Sequence, residues 1–240
     1  MATYKIKLKR RSEVASGTMA FHFEKPEGFT FEPGQCGDFT LPNPPQNDSE
    51  GNKRSFSLAS APYEDDLIIA TRMRNTAFKR SLKLIDLGTE LDLEAPWGEL
   101  TLHEDARIPA VFLTGGIGIT PVRSIVLQAT HDKLDHPLFA FYSNRTPNDA
   151  AFLDELAAAQ KTNPNFTLIA TMTEVENSHT KWDGETGYIT EAMLKKYLPD
   201  LSHPIYYLSG PPEMVAAMQK LLKKSGVQEA NIRAEEFSGY

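Results

Sequence analysis

Apolar residues alternate with polar ones at Tyr4, Ile6 and Leu8 and again at Met19, Phe21 and Phe23, the period of strands that bury one face. Ala15-Ser16-Gly17 separates the two runs as a turn. Short apolar runs follow at residues 39–41, 56–59, 67–73 and 91–93. Residues 42–53, rich in Pro, Asn, Asp and Gly, read as a loop, and in this half only residues 76–84 resemble a short helix. Many short strands with little helix predict an antiparallel sandwich or a closed barrel.

Beyond residue 107 the period changes. Runs at 111–113, 138–142, 166–171 and 205–208 are continuously apolar, as in parallel strands covered on both faces. Between them Val122, Ile125, Val126 and Ala129 keep helical spacing, and residues 152–159 carry another apolar helical face. Residues 213–224 begin with Glu213 and end on Lys223-Lys224, charges that complement a helix dipole. Alternating strands and helices make an open α/β sheet. The expected division is a β-barrel over residues 1–106 and a Rossmann-like parallel α/β unit over residues 107–240. There is no internal repeat.

Composition narrows the function. With 32 acidic against 25 basic residues the net charge is −7, which argues against broad nucleic-acid binding. Cys36 is the one cysteine, so no internal disulfide, iron–sulfur cluster or cysteine-held zinc is expected, and a reducing, cytoplasmic compartment fits. No apolar run approaches the roughly 18 residues that would cross a bilayer. The histidines are scattered, His22 and His203 read as structural, and no metal site is expected.

Two corners in the second half carry candidate chemistry. One strand runs into Gly115-Gly116-Ile117-Gly118-Ile119-Thr120-Pro121. Glycines there let a ligand or another backbone approach, Thr120 is placed to cap the helix, and Pro121 sits in its first turn. The helix start offers N–H groups to an anion. The last central strand ends in Ser209-Gly210-Pro211-Pro212. Tight packing explains either corner alone; two in one sheet point to the crevice at the carboxyl ends of parallel strands, where ligands collect.

Arg54-Ser55-Phe56-Ser57, Ala95-Pro96-Trp97-Gly98, the glycine corner, Ser209-Gly210-Pro211-Pro212 and Arg233-Ala234-Glu235-Glu236-Phe237 occur in that order. Together they resemble the ferredoxin–NADP reductase superfamily in its compact form, over nearly the whole chain. The resemblance implies a Greek-key barrel carrying flavin, FAD rather than FMN, followed by a nicotinamide-nucleotide unit. It puts Arg54 on the flavin phosphate, Phe56 on the isoalloxazine in place of the usual Tyr, and Ser57 at flavin N5, with Ser55 beside them. The residue types suit these roles, since a guanidinium fork matches phosphate and an aromatic face matches a flat ring. Arg72 and Met73 would flank the dinucleotide. Ser81 and the N–H groups at the helix start would bind pyrophosphate, helped by Lys79 and by Arg80, which replaces a glycine common in the family.

In the second half Thr120 resembles the threonine that positions the nicotinamide. Gly115, Gly116 and Gly118 would let the dinucleotide pass, ahead of Pro121. Ser209 takes a place often held by Cys, with Gly210 and Pro211 completing its corner. Glu235 and Glu236 lie where the family sets an acid near the ring, and Phe237 and Tyr240 are candidates to cover the flavin as a gate. Ser143 and Arg145 are placed to receive a 2′-phosphate, which Asp149 would discourage, so NAD and NADP both stay open. The implied activity is hydride transfer from the nicotinamide to bound FAD, with Ser57, Thr120 and Glu235 as catalytic candidates. Electrons then pass to an unidentified acceptor, a redox protein or a small molecule. A flavin relay subunit of a larger complex and a free-flavin or quinone reductase are the alternatives.

Overall fold

A computed structural model describes residues 2–237. The alternating N-terminal run becomes β1 (Ala2–Ala15), which turns at Gly17, where φ is +62°, into β2 (Thr18–Glu24). β3 (Cys36–Thr40), β4 (Lys53–Ser57) and β5 (Asp66–Arg72) follow, then α1 (Ala77–Leu84) and β6 (Glu90–Trp97). These strands pair antiparallel in the order β4-β3-β6-β1-β2-β5. The late strand β6 returns between β1 and β3, which gives the Greek-key barrel, and β4 and β5 come into contact at its open side. Ile6, Leu8, Phe21, Phe23, Leu67 and Ile69 fill the interior; their two-residue spacing is the inward face of each strand.

The second half is one parallel sheet of β7 (Ala110–Gly115), β8 (Leu138–Asn144), β9 (Phe166–Met172), β10 (Glu185–Thr186), β11 (Ile205–Gly210) and β12 (Ile232–Glu236). Its helices are α2 (Ile119–Asp132), α3 (Leu153–Thr162), α4 (Glu191–Tyr197) and α5 (Pro212–Lys224). Along β7, Ala110 and Phe112 pack with residues of α2 and α3, while Val111 and Leu113 pack with residues of α4 and α5. Burial on both faces explains why these strands show no alternation. The order β10-β9-β8-β7-β11-β12 reverses between β7 and β11, which sets both corners at the switch point of the sheet.

Two short elements, α4 and β10, escape the hydrophobic pattern because they are too brief to display a period. Phe152, which the pattern puts inside α3, instead precedes it with φ +59°, a strained setting for a bulky side chain. None of the described helices is long and apolar enough to cross a membrane.

His22 on β2 is 5% exposed. Burial, then the charge of Arg10, lowers its pKa from 6.5 to about 4, against the pull of Asp66 at 3.8 Å. As pH falls the unfolded chain therefore takes up this proton first, so the contribution is complete above pH 6.5 and is lost towards pH 4. Urea unfolding at pH 7 and pH 4 should differ by roughly 2–3 kcal/mol more in the wild type than in His22→Asn. Parallel pH profiles of the two proteins would exclude His22 as a source of acid sensitivity.

Candidate functional site

β4, β5, the turn after β7 and the residue following β12 converge on a cavity of about 370 Å³, within the range of small-molecule sites. Arg54, Ser55, Phe56 and Ser57 make one wall; Arg72, Thr76 and Lys79 make a second. Ile117, Thr120 and Phe237 face them from the parallel half. A larger cleft of about 640 Å³ beside Trp182 is walled in part by Glu13, Asp154, Glu155 and Lys181, and has fewer cations than acids to offer a phosphate.

The hydroxyl of Ser57 is the most telling group. The residue is 4% exposed and its Oγ has no hydrogen-bond partner, although a buried hydroxyl is costly to leave unpaired. Phe56 beside it rests its ring near Phe39 and Phe78, with centroids 5.8 and 5.9 Å away, and is only half-buried, which leaves it available to the cavity. Ser55 donates to Asp38 Oδ1 at 2.5 Å. Thr120, almost fully buried, donates to the Ile117 carbonyl at 3.0 Å and keeps acceptor capacity.

The second wall is cationic. Lys79 donates to the Arg72 carbonyl at 2.9 Å, and desolvation, reinforced by Arg74 and Arg54, brings its pKa down to about 8. Arg54 lies over the Phe78 ring at 5.4 Å and meets Glu50 Oε2 at 2.6 Å. Asp48 accepts from the Ala77 N–H at the start of α1 at 3.1 Å and stands 3.9 Å from Arg54. Two carboxylates of the loop before β4 thus answer the guanidinium and the helix start, where an anionic ligand is favoured. This donor set fits a flavin dinucleotide: cations for its phosphates, an aromatic face and an unpaired hydroxyl for its ring.

Residues 112–220 match the family model for an oxidoreductase NAD-binding domain. The reductase component of propane 2-monooxygenase from Rhodococcus jostii is 29% identical over 220 residues, which cover 89% of this chain and 57% of that protein. One subunit of the Na(+)-translocating NADH-quinone reductase from Idiomarina loihiensis is 30% identical over 201 residues, which cover 78% of this chain and 49% of that protein. The ferredoxin NADP+ reductase of Neisseria gonorrhoeae, solved with FAD and NADP bound, superposes with a TM-score of 0.80 at 20% identity and 98% coverage of both chains. The chain shares the fold of this ferredoxin NADP+ reductase. It spans about half the length of the curated relatives it matches.

Several of the expected site residues lie elsewhere in this fold. Ser81 is not at the helix start but is the fifth residue of α1, fully buried, donating to the Gln46 carbonyl at 3.0 Å and accepting from its N–H at 3.1 Å. Arg80 is held by Gln46 and Asn75, not by the cavity, because neighbours on a helix point about 100° apart. Met73, just past the end of β5, packs on the barrel core while Arg72 faces the cavity. Thr76, not Ser81, caps α1, and Thr120 lies inside α2, whose start has no side-chain cap.

The corners pack on each other. A Cβ on Gly118 would stand 2.3 Å from the Ser209 carbonyl, and one on Gly115 would stand 2.4 Å from the Met214 sulfur. Their missing side chains let the two corners pack this closely. Gly116, with φ +53°, makes the turn, and Pro121 lies in the first turn of α2. Ser209 is fully buried and donates to the Gly118 carbonyl at 2.8 Å, so its hydroxyl clamps the corners rather than facing the cavity. Gly210 approaches the Gly115 backbone, and Pro211 immediately precedes α5. Glu235 pairs with Ser209 across β11 and β12, and burial raises the pKa of its carboxyl; Glu236 is exposed. Ser143 and Arg145 sit at the end of β8, outside the cavity wall. Tyr240 lies outside the described residues.

Asp48, Glu50 and the buried Arg123 were not legible as site residues. The loop acids read as solvated turn chemistry, and Arg123 was hidden in an apolar helical stripe. A diphosphate ligand such as FAD should bind with constant affinity below pH 8 and more weakly above it, as the Lys79 ammonium is lost. Lys79→Met should weaken binding about tenfold at pH 7 and flatten the pH profile. Calorimetric titration from about pH 6 to 9.5, spanning the lysine's titration, checks both; a wild-type profile with no break would remove Lys79 from the phosphate wall.

Proposed function

We propose that the chain is an NAD(P)H-dependent flavoprotein oxidoreductase that binds FAD in this cavity and transfers electrons onward. The observation that carries the reading is the buried, unpaired Ser57 hydroxyl on a cation-walled cavity, opposite Thr120. When bound, the flavin supplies the redox chemistry by accepting a hydride and releasing electrons singly. The protein supplies position. Arg54, Lys79 and Arg72 hold phosphate, with the Glu50 carboxylate exchanging for ligand oxygens. Ser57 donates at the ring edge, Phe56 and Phe237 exclude water, and Thr120 orients the nicotinamide amide from the other side. Glu235, whose carboxyl pKa burial raises, is the acid at this corner.

The acceptor is a redox protein in this reading. Support comes from relatives named as reductase components of monooxygenases and from the length of those relatives beyond the matched part. Cytoplasmic operation fits a donor made in that compartment. Thr120→Ala should bind FAD normally yet be reduced by nicotinamide roughly tenfold more slowly, by loss of one positioning hydrogen bond. Anaerobic stopped-flow bleaching of the flavin tests this. A wild-type protein that takes up no FAD, or holds FAD that neither NADH nor NADPH bleaches, overturns the reading.

NADH is the preferred donor. Arg145, the cation available for a 2′-phosphate, stands 3.7 Å from Glu174, and the Asp149 carboxylate accepts from Thr146 nearby. Glu174→Ala should raise the NADPH-to-NADH ratio of kcat/KM by about tenfold, on the scale of a charged contact. An unchanged ratio would take Glu174 out of donor selection.

A further inference from the structure

Helix α2 carries Thr120 into the cavity and, one turn further on, Arg123 into the seam between the barrel and the parallel sheet. Arg123 is 4% exposed. Its Nη1 and Nη2 donate to Glu64 Oε2 and Oε1 at 2.8 and 3.0 Å, a two-point grip on a barrel carboxylate. Nη1 also donates to the Ala59 carbonyl at 2.7 Å, two residues beyond Ser57. From its own half, Glu155 Oε2 accepts from Nε and Nη2 at 2.9 and 2.6 Å, and Phe152 lies under the guanidinium at 5.0 Å.

The barrel side of this grip is firmly built. Glu64 Oε2 also accepts from the Ala61 N–H at 2.6 Å, which folds the loop around the carboxylate. Ser124 donates to the Ser60 carbonyl at 2.7 Å, and Ala59 N–H donates to the Ile68 carbonyl of β5 at 2.7 Å. The start of α2 is thus tied to two successive carbonyls next to β4 and through them to β5. A bidentate guanidinium resists rotation as well as translation.

We propose that Arg123 is a positioning residue for hydride transfer: held between Glu64 and Glu155, it sets the separation of the Ser57 wall from the Thr120 wall. The inference rests on the flavoprotein reading above. Transfer needs donor and acceptor atoms within about 3–3.5 Å, and a displacement near 1 Å costs on the order of a hundredfold. A lysine cannot make the fork, and loss of the Glu64 charge weakens the two-point grip between halves, whereas loss of Glu155 weakens only a tie within one half.

The test combines kinetics with a measurement made without flavin. Arg123→Lys and Glu64→Gln should keep FAD content and the NADH dissociation constant within about twofold, yet lower the flavin reduction rate at saturating NADH by about tenfold or more. Their deuterium isotope effect should become more temperature-dependent, and Glu155→Gln should do distinctly less. In the flavin-free protein, nitroxides on Lys7→Cys and Lys220→Cys, both exposed positions, report the distance between halves. Cys36 stays unlabelled because it is buried and its thiol pKa is pushed up to about 12. A narrow distance distribution should broaden in Arg123→Lys and Glu64→Gln. Unchanged rates and distances in both variants, or equal effects of Glu64→Gln and Glu155→Gln, overturn the proposal. If the wild type is not reduced at all, the flavoprotein reading fails, and an unaltered label distance then disposes of the clamp separately.

Discussion

A guanidinium buried in a seam until its residue is only 4% exposed needs partners that answer its charge. For Arg123 they come from both halves of the molecule. Replacing such a cluster with apolar residues is often neutral for stability, so its presence here is better understood through geometry. Apolar packing between a barrel and a sheet tolerates sliding; a forked ion pair does not. The cavity exists between walls contributed by β4, β5 and α1 on one side and by the β7–α2 turn on the other, so its width depends on how firmly the seam is fixed.

The electrostatics of the cavity follow the same logic of groups that must be answered. Arg54, Arg74 and Lys79 are close enough to depress the lysine, an arrangement that is costly in the absence of anions. Asp48 and Glu50 supply carboxylates on Arg54 and at the start of α1. A ligand phosphate offers more oxygens to the same donors, while the loop acids are free to return to water. The ring end of the cavity is built differently, with an aromatic surface and a hydroxyl that has no protein partner.

Between these ends lies the switch point of the parallel sheet. There the backbone after β7 and the backbone after β11 touch so closely that side chains at Gly115 and Gly118 would collide with Met214 and Ser209. Ser209 and Gly118 add a hydrogen bond to the contact. The close fit gives α2 a fixed origin, and Thr120 and Arg123 then project from it in adjacent turns.

The two architectures and their order are written locally in the chain. A two-residue period in the first half and buried apolar runs alternating with helices in the second are direct readouts of which faces meet water, and burial of one's own side chain is a local property. Arg54, Phe56 and Ser57 were picked out by the family resemblance of their motif, and they line one wall of the cavity together because they share β4. Which neighbours meet was settled only by the docking of whole elements: Arg72 reaches the cavity while Met73 turns to the core, Ser81 is consumed by Gln46, Ser209 clamps a corner, and Arg123 finds Glu64 59 residues away. Hydrophobic periodicity states how deeply a position is buried. The identity of its partner depends on packing between elements and on the requirement that every buried charge and hydroxyl be answered.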